Sequence, residues 1–309
     1  PTQHAERNGD DIRQTESRFL QDANSLTMRI KFFAQTSKLN CGPTCLRMVV
    51  ATLRGHDCGI QAAESAVGIR KDKVVTTLAI ALGAGKILEP NEEADIRLVS
   101  TSPTFNVENL SHDYYKKYNA SSVEDSEREL AEVAERGVAV ETRSVDLAEI
   151  RAWLSLSNAK EPRLLICLLD WSKVIEGGLD GSSAHESCEV ESSPPAATPK
   201  SGGPGGESAP RGQVPIPNRA GYCGHFVVVV SCVEGGVVFL NPDGSVGKST
   251  SGAGAVAVSR AAGITGAASR MGSPIVESRR GWFFMSETVF EQARKASGTD
   301  EDLIFFKAP

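Results

Sequence analysis

Two stretches of this chain cannot build a core, and they fix how the rest must be used. Residues 176–220 are dense in Gly, Ser and Pro, and residues 244–280 consist mostly of Gly, Ala and Ser. Neither holds enough bulky apolar side chains to offset the entropy of ordering its backbone. A strongly patterned piece resumes after each: "GHFVVVVSCVEGGVVFLNPD" after the first, "GWFFMSETVFEQARKASGTDEDLIFF" after the second. Strands this short and apolar need a packing partner, which only the earlier half of the chain can supply. The 309 residues therefore read as one domain over 28–309 with low-complexity insertions at 176–220 and 244–280, preceded by a flexible lead-in at 1–27.

Hydrophobic periodicity predicts the elements around these insertions. "MRIKFFAQ" (Met28 to Gln35) reads as a short strand. Past the Cys41-Gly42-Pro43 turn, Leu46, Val49, Val50 and Leu53 share one helical face, with Pro43 suited to the first turn and Gly55 to the end. Helices are expected near "IQAAESAVG", near "VVTTLAIAL", over "SERELAEVAERG" up to Gly137, and over "DLAEIRAWLSL" behind Asp146. "VAVETRSV" and "RLLICLLDW" read as strands, the latter buried. "GHFVVVVSCVEGGVVFL" reads as a hairpin turning at residues 235–236. The closing piece reads as strand, helix (Glu287 to Ala296) and strand. Helix and strand mix without regular alternation, which favours an α+β fold.

Bulk properties narrow the function. A net charge of −6 with no basic stripe gives nucleic-acid binding no electrostatic support. No apolar run reaches the roughly 20 residues of a membrane helix, and the polar start lacks the apolar core of a secretory signal. Seven cysteines, an odd number scattered along the chain, read as thiols of a reducing compartment rather than a disulfide framework. A cytoplasmic or nuclear location is expected, with neither nucleic acid nor membrane as partner.

"QTSKLNCGPTCLRMVV" (Gln35 to Val50) carries the chemistry. The plain structural reading of Cys41 is a buried thiol at a turn. The alternative is a nucleophile, because aligned helix dipoles and a neighbouring imidazolium both favour the thiolate. Of five histidines, His4 and His185 lie in segments without a core, and His56 and His112 lie in polar loops. Only His225 opens a strand that can hold it rigid. Asn241, 16 residues on, falls at the end of the next strand, where it can orient His225; Asp243 is the alternative orienter. Gln35 can aim its amide at a developing oxyanion beside the Cys41 N–H. Cys41 and His225 are 184 residues apart, or 139 with the 45-residue stretch 176–220 set aside. That falls in the roughly 130–150 residues of papain-like enzymes. Cys45, one helical turn on, is expected to face the core without a chemical role.

These motifs resemble two groups of proteins. "Q-x5-N-C-G-P-T-C-L-x-M-V", "G-H-F-V-V-V-V" and "N-P" are similar to the papain-like peptidases that process double-glycine leader peptides. A longer resemblance is to the guanylyl cyclase domain-containing family of plants and animals. It runs over roughly 28–309 apart from the insertions, through Gln35, Cys41, Gly42, Cys45 and Met48. It continues through "YYKKY" (Tyr114 to Tyr118), Gly224-His225-Phe226, Asn241-Pro242 and the specific closing "FEQARKASGTDEDLIFF". The resemblance implies a papain-like α+β fold, with Cys41 opening a central helix packed on an antiparallel sheet that carries His225. Two features depart from the family: Asn40 stands where it usually has Asp, and Val74 and Thr77 stand in "VVTTL" where it has Trp and Asp. If those positions serve recognition, the substrate differs.

The expected function is a Cys/His hydrolase or acyltransferase acting on a peptide, isopeptide or amide bond of a peptide or protein substrate. It would need no cofactor and no metal. The family name implies the alternative, conversion of GTP to cyclic GMP with Mg²⁺, and a non-catalytic protein-binding scaffold is a third reading. The acidic "GTDED" at 298–302 reads most simply as a solvated turn. Gly247-Lys248-Ser249 follows a strand as in a P-loop, but Pro242 stands where that loop needs a glycine N–H. A zinc site from Cys41, Cys45, His185 and Cys188 has loose spacing. Oligomeric state is not legible.

Overall fold

The run "RLLICLLD" is buried along almost its whole length, and that places it at the centre of the molecule. A computed structural model describes residues 30–69, 74–88, 94–104, 106–118, 123–158, 160–178, 222–244, 275–279 and 281–308. In chain order these form α1 (Cys41–Arg54), α2 (Ile60–Ala66), α3 (Thr77–Leu88), β1 (Asp95–Ser100), α4 (Asp113–Tyr118), α5 (Val123–Glu135) and β2 (Ala139–Thr142). There follow α6 (Leu147–Ser155), β3 (Arg163–Asp170), α7 (Trp171–Gly178), β4 (Gly224–Val233), β5 (Gly236–Leu240), β6 (Ile275–Arg279), β7 (Trp282–Ser286), α8 (Glu287–Arg294) and β8 (Leu303–Lys307). A short 3₁₀ helix, Val107–Ser111, precedes α4.

The strands make one mixed sheet in the order β2-β1-β8-β3-β4-β5-β7-β6. All neighbours are antiparallel except β1 and β2, so the expected wholly antiparallel sheet is corrected at that edge. A parallel pair requires a crossover, and α5 supplies it.

Alternate residues of β3 and β4 enter two separate cores. Leu164, Ile166, Val228 and Val230 pack with α1 and α3 on one face. Leu165, Cys167, Val227 and Val229 pack with α6 and α8 on the other. A strand covered on both faces has no polar side, which is why these segments read as unbroken apolar runs. Each such side chain contributes about 1.5–3 kcal/mol of burial.

Local signals explain the element ends. Asp146 accepts from the Glu149 N–H at 2.7 Å and caps α6 as expected. Gly55 ends α1 and Gly137 follows α5, both with positive φ. Two expectations are corrected. Residues 30–35 form no strand: Ile30, Phe32 and Phe33 pack on the core as an irregular arm, and the Gln35 N–H bonds the Pro242 carbonyl at 2.7 Å. The second low-complexity stretch ends in structure, because Ile275–Arg279 pairs with β7 as the edge strand. The 1–27 lead-in and most of residues 176–220 and 244–280 lie outside the described residues.

Candidate active site

Cys41 is the first residue of α1, and the sequence around it explains why. Asn40 occupies the cap position but does not cap; it is fully buried. Its amide donates to Thr36 Oγ1 (2.8 Å) and to Glu64 Oε1 on α2 (3.0 Å), and its Oδ1 accepts the Ser37 N–H. Asn40 thus ties the incoming loop and α2 to the helix start. An aspartate there would set a second carboxylate against Glu64, so the neutral amide suits this packing. Gly42 is required by close approach: a Cβ would meet Ile80 at 2.7 Å and Phe226 at 3.3 Å.

The chain brings Cys41, His225 and Asn241 together. α1 packs on β4, whose second residue is His225. The Cys41 thiol and the His225 imidazole are hydrogen-bonded. His225 Nε2 lies 2.7 Å from Asn241 Oδ1, which also accepts the Asp243 backbone N–H at 3.0 Å. A backbone N–H can only donate, so that atom is the amide oxygen and His225 Nε2 carries the proton. The other ring nitrogen, Nδ1, is left to face Cys41. Asp243, the alternative orienter, does not hydrogen-bond the imidazole; it acts on it only as a nearby charge.

Burial alone would push the Cys41 thiol up, but the His225 hydrogen bond and charge, with the Phe226 and Gly42 backbone groups, bring it below the usual thiol range. Burial pushes the His225 imidazole down, yet Cys41 and Asn241 hold its proton and leave it above its ordinary value. Both shifts favour a thiolate–imidazolium pair. Cys45, as expected, is inert: burial pushes its thiol far up, and its Sγ donates to the Phe226 carbonyl at 3.3 Å. Cys45, Cys58, Cys167 and Cys232 are free. Cys223 is disulfide-bonded, against the expectation of free thiols throughout.

Trp171 was not singled out in the sequence. Its ring centroid sits 4.6 Å from that of His225, and its backbone N–H bonds the Cys223 carbonyl at 2.7 Å. The visible signal was a tryptophan directly after a buried strand. The β3–β4 register that sets Leu169 opposite His225 was not visible.

Cys41 opens onto a cleft of about 880 Å³ including its mouth. The "YYKKY" helix, α4, forms part of its wall: Tyr114 Oη donates to the Gly224 carbonyl (3.3 Å) and Tyr115 Oη to the Gly298 carbonyl (2.6 Å). The solvated-turn reading of "GTDED" is corrected here, since Asp300 and Asp302 line the same cleft. Asp302 accepts a very short hydrogen bond from Thr77, one of the two departures in "VVTTL"; Val74, the other, is also at the cleft. Burial and the Asp300 charge raise the Asp302 carboxyl from 3.8 to about 7, against hydrogen bonds from Ser100 and Thr77. Between those values the folded protein holds a proton that the unfolded chain has lost, so stability falls as pH rises from about 4 to about 7. Asp302 is half-buried, so solvent screens part of that cost. Asp302→Asn is expected to raise the thermal midpoint by about 2–6 °C at pH 8 and to leave it nearly unchanged at pH 4. Melts that shift equally at both pH values would refute this account.

A family model described as guanylylate cyclase matches residues 30–251. The chain belongs to that family. Searches of curated proteins and of solved structures return no match. The matched span of the guanylylate cyclase family contains Gln35, Cys41, His225 and Asn241, while the acidic turn lies beyond it. The family's name implies GTP and a divalent cation, and the described residues do not fit them. Among the described residues Lys38 is the one basic side chain lining the cleft, against two aspartates. Among the described residues no group of three or more His, Cys, Asp or Glu is placed to hold a metal ion. His185, Cys188 and Gly247-Lys248-Ser249 lie outside the described residues. No helix among the described residues is long and apolar enough to cross a membrane.

Proposed function

We propose that this protein is a Cys/His acyl-transfer enzyme with a papain-like arrangement, hydrolysing or transferring a peptide, isopeptide or amide acyl group. The observation that carries this reading is the continuous hydrogen-bonded series Cys41, His225, Asn241 at the head of a helix and the edge of a cleft.

The Cys41 thiolate attacks the substrate carbonyl carbon, and the C=O electron pair moves onto oxygen. The Cys41 backbone N–H, in a first helical turn with no intrahelical partner, and the Gln35 side-chain amide are the donors for that oxyanion. The Gln35 backbone N–H bonds the carbonyl of Pro242, the residue after Asn241, which supports this assignment. Collapse expels the amine, which takes the proton from His225 and leaves a thioester on Cys41. Water, or another acceptor, then gives its proton to His225 and attacks the thioester, and the thiolate is restored.

Iodoacetamide alkylation followed by mass spectrometry between pH 5 and 8.5 tests the reading. Cys41 is expected to react ahead of Cys45, Cys58, Cys167 and Cys232, whose thiols burial pushes up. With Cys41 lowered and His225 raised, the reactive pair exists above the thiol's pKa and below the imidazole's. His225→Ala should slow Cys41 alkylation at pH 6.5 by at least about tenfold, restoring the rate only at higher pH. If Cys58 reacts first and His225→Ala changes nothing, the dyad is not operating.

A further inference from the structure

Two aspartates, Asp300 and Asp302, share the cleft with the proposed nucleophile, and neither is ion-paired among the described residues. Their partners are amides and hydroxyls. Asp300 Oδ1 and Oδ2 accept from Asn106 (3.0 Å) and Asn109 (2.7 Å) respectively. Asp302 accepts from Thr77. A carboxylate oxygen has two acceptor positions, so each retains capacity for a further donor.

The backbone fixes both groups in place. Asp300 has φ 49°, in the left-handed region, and its carbonyl accepts the Thr101 N–H and Oγ1, each at 2.9 Å. The Asp302 carbonyl accepts the Leu168 N–H at 3.2 Å. The acidic wall is therefore built on β1, β3, α3 and the turn before β8, and does not hang from a loose loop. Two carboxyl groups recessed together without an ion pair are costly to ionise together. A cation entering the cleft removes that cost, and Tyr114 and Tyr115 on the same lining offer it aromatic surface.

We propose that the Asp300–Asp302 wall makes the cleft selective for a cationic group, an alkylammonium or guanidinium, carried by the substrate presented to Cys41. This rests on the acyl-transfer reading of Cys41. The departure at Thr77 belongs to the same device: its hydroxyl donates to Asp302, where a third carboxylate would add to the repulsion.

Charged thiol reagents read the field at Cys41 without needing the natural substrate. Cys41 is treated at pH 8 with 2-aminoethyl, methyl and 2-sulfonatoethyl methanethiosulfonate, which differ in charge and share one reaction. The Asp300→Asn/Asp302→Asn double variant is expected to lower the cationic-to-anionic rate ratio by roughly 10-fold. Its rate with the neutral reagent should stay near that of the parent, which controls for misfolding. Asp113→Asn, at a fully exposed carboxylate on α4, should leave the ratio unchanged. A ratio unmoved by the double variant, or moved equally by Asp113→Asn, overturns the proposal. If the neutral reagent does not select Cys41 over the other free thiols, the acyl-transfer reading itself fails, and the two failures are told apart. Protection of Cys41 from iodoacetamide by spermidine or by a blocked arginine tripeptide separates a small polyamine from a peptide as the cation's source. Protection by neither counts against the proposal.

Discussion

Cys41→Ala is expected to abolish turnover of peptide, isopeptide and thioester probes, by several orders of magnitude, while leaving the fold intact. Losing the nucleophile leaves only binding and oxyanion stabilisation, which sustain residual catalysis far below the parent rate. The fold should tolerate the change, because alanine keeps the helix start and removes one sulfur; a thermal midpoint within a few degrees of the parent is the control. EDTA should not inhibit the reaction, since no step of it needs a metal. The same preparations, given GTP with Mg²⁺ or Mn²⁺, test the activity in the family's name. Metal-dependent cyclic GMP synthesis that survives Cys41→Ala would displace the acyl-transfer reading. A parent protein inactive in both assays, with Cys41 unreactive, would favour a non-catalytic binding scaffold.

The site was more legible than the sheet that builds it. Cys41, His225 and Asn241 could be read from chain order because each sits at an element end with its own local signal: a Cys-Gly-Pro helix start, a strand start, and a strand end before Pro242. The choice between Asn241 and Asp243 could not be read. It depends on a 2.7 Å contact that only the β4–β5 register creates. β1 was missed because "DIRLVS" is short, and its burial depends on β8 pairing from the far end of the chain. The run Met28 to Gln35 looked like a strand because it is short and rich in apolar and aromatic side chains. Ile30, Phe32 and Phe33 instead pack on the core from an irregular arm, with one backbone bond to hold the end. The acidic turn was misjudged for a similar reason. Asp and Glu in a short Gly-bounded segment ordinarily face water, and nothing local reveals that three strands and two asparagines enclose this one.

The closing "FEQAR…GTDED" pattern carried the family resemblance without a physical reason, and Arg294 supplies one. Its side chain is fully buried. It pairs with Glu291 one turn back, donates to the Val145 carbonyl at 2.7 Å, and lies 3.5 Å from Glu301. Its own carbonyl accepts the Thr299 hydroxyl at 2.6 Å, which holds the start of the acidic turn. One residue thereby fastens α8, the entry to α6 and the turn that presents Asp300 and Asp302. Arg294→Ala would take one partner from Glu291, leave the Val145 carbonyl short of its own and open a cavity. The expected cost is about 3 kcal/mol, from the cavity and the lost buried hydrogen bond, since Glu291 keeps Lys295 as a partner at 2.9 Å. That corresponds to a fall of roughly 10 °C in thermal midpoint. Arg294→Met keeps most of the volume and adds no unpaired charge of its own, so it should recover part of the packing loss but none of the hydrogen bonding. Thermal melts of both variants decide the matter. A loss under about 1 kcal/mol for Arg294→Ala would mean the turn is held by its own backbone bonds, and Arg294 would then have no claim on the geometry of the acidic wall.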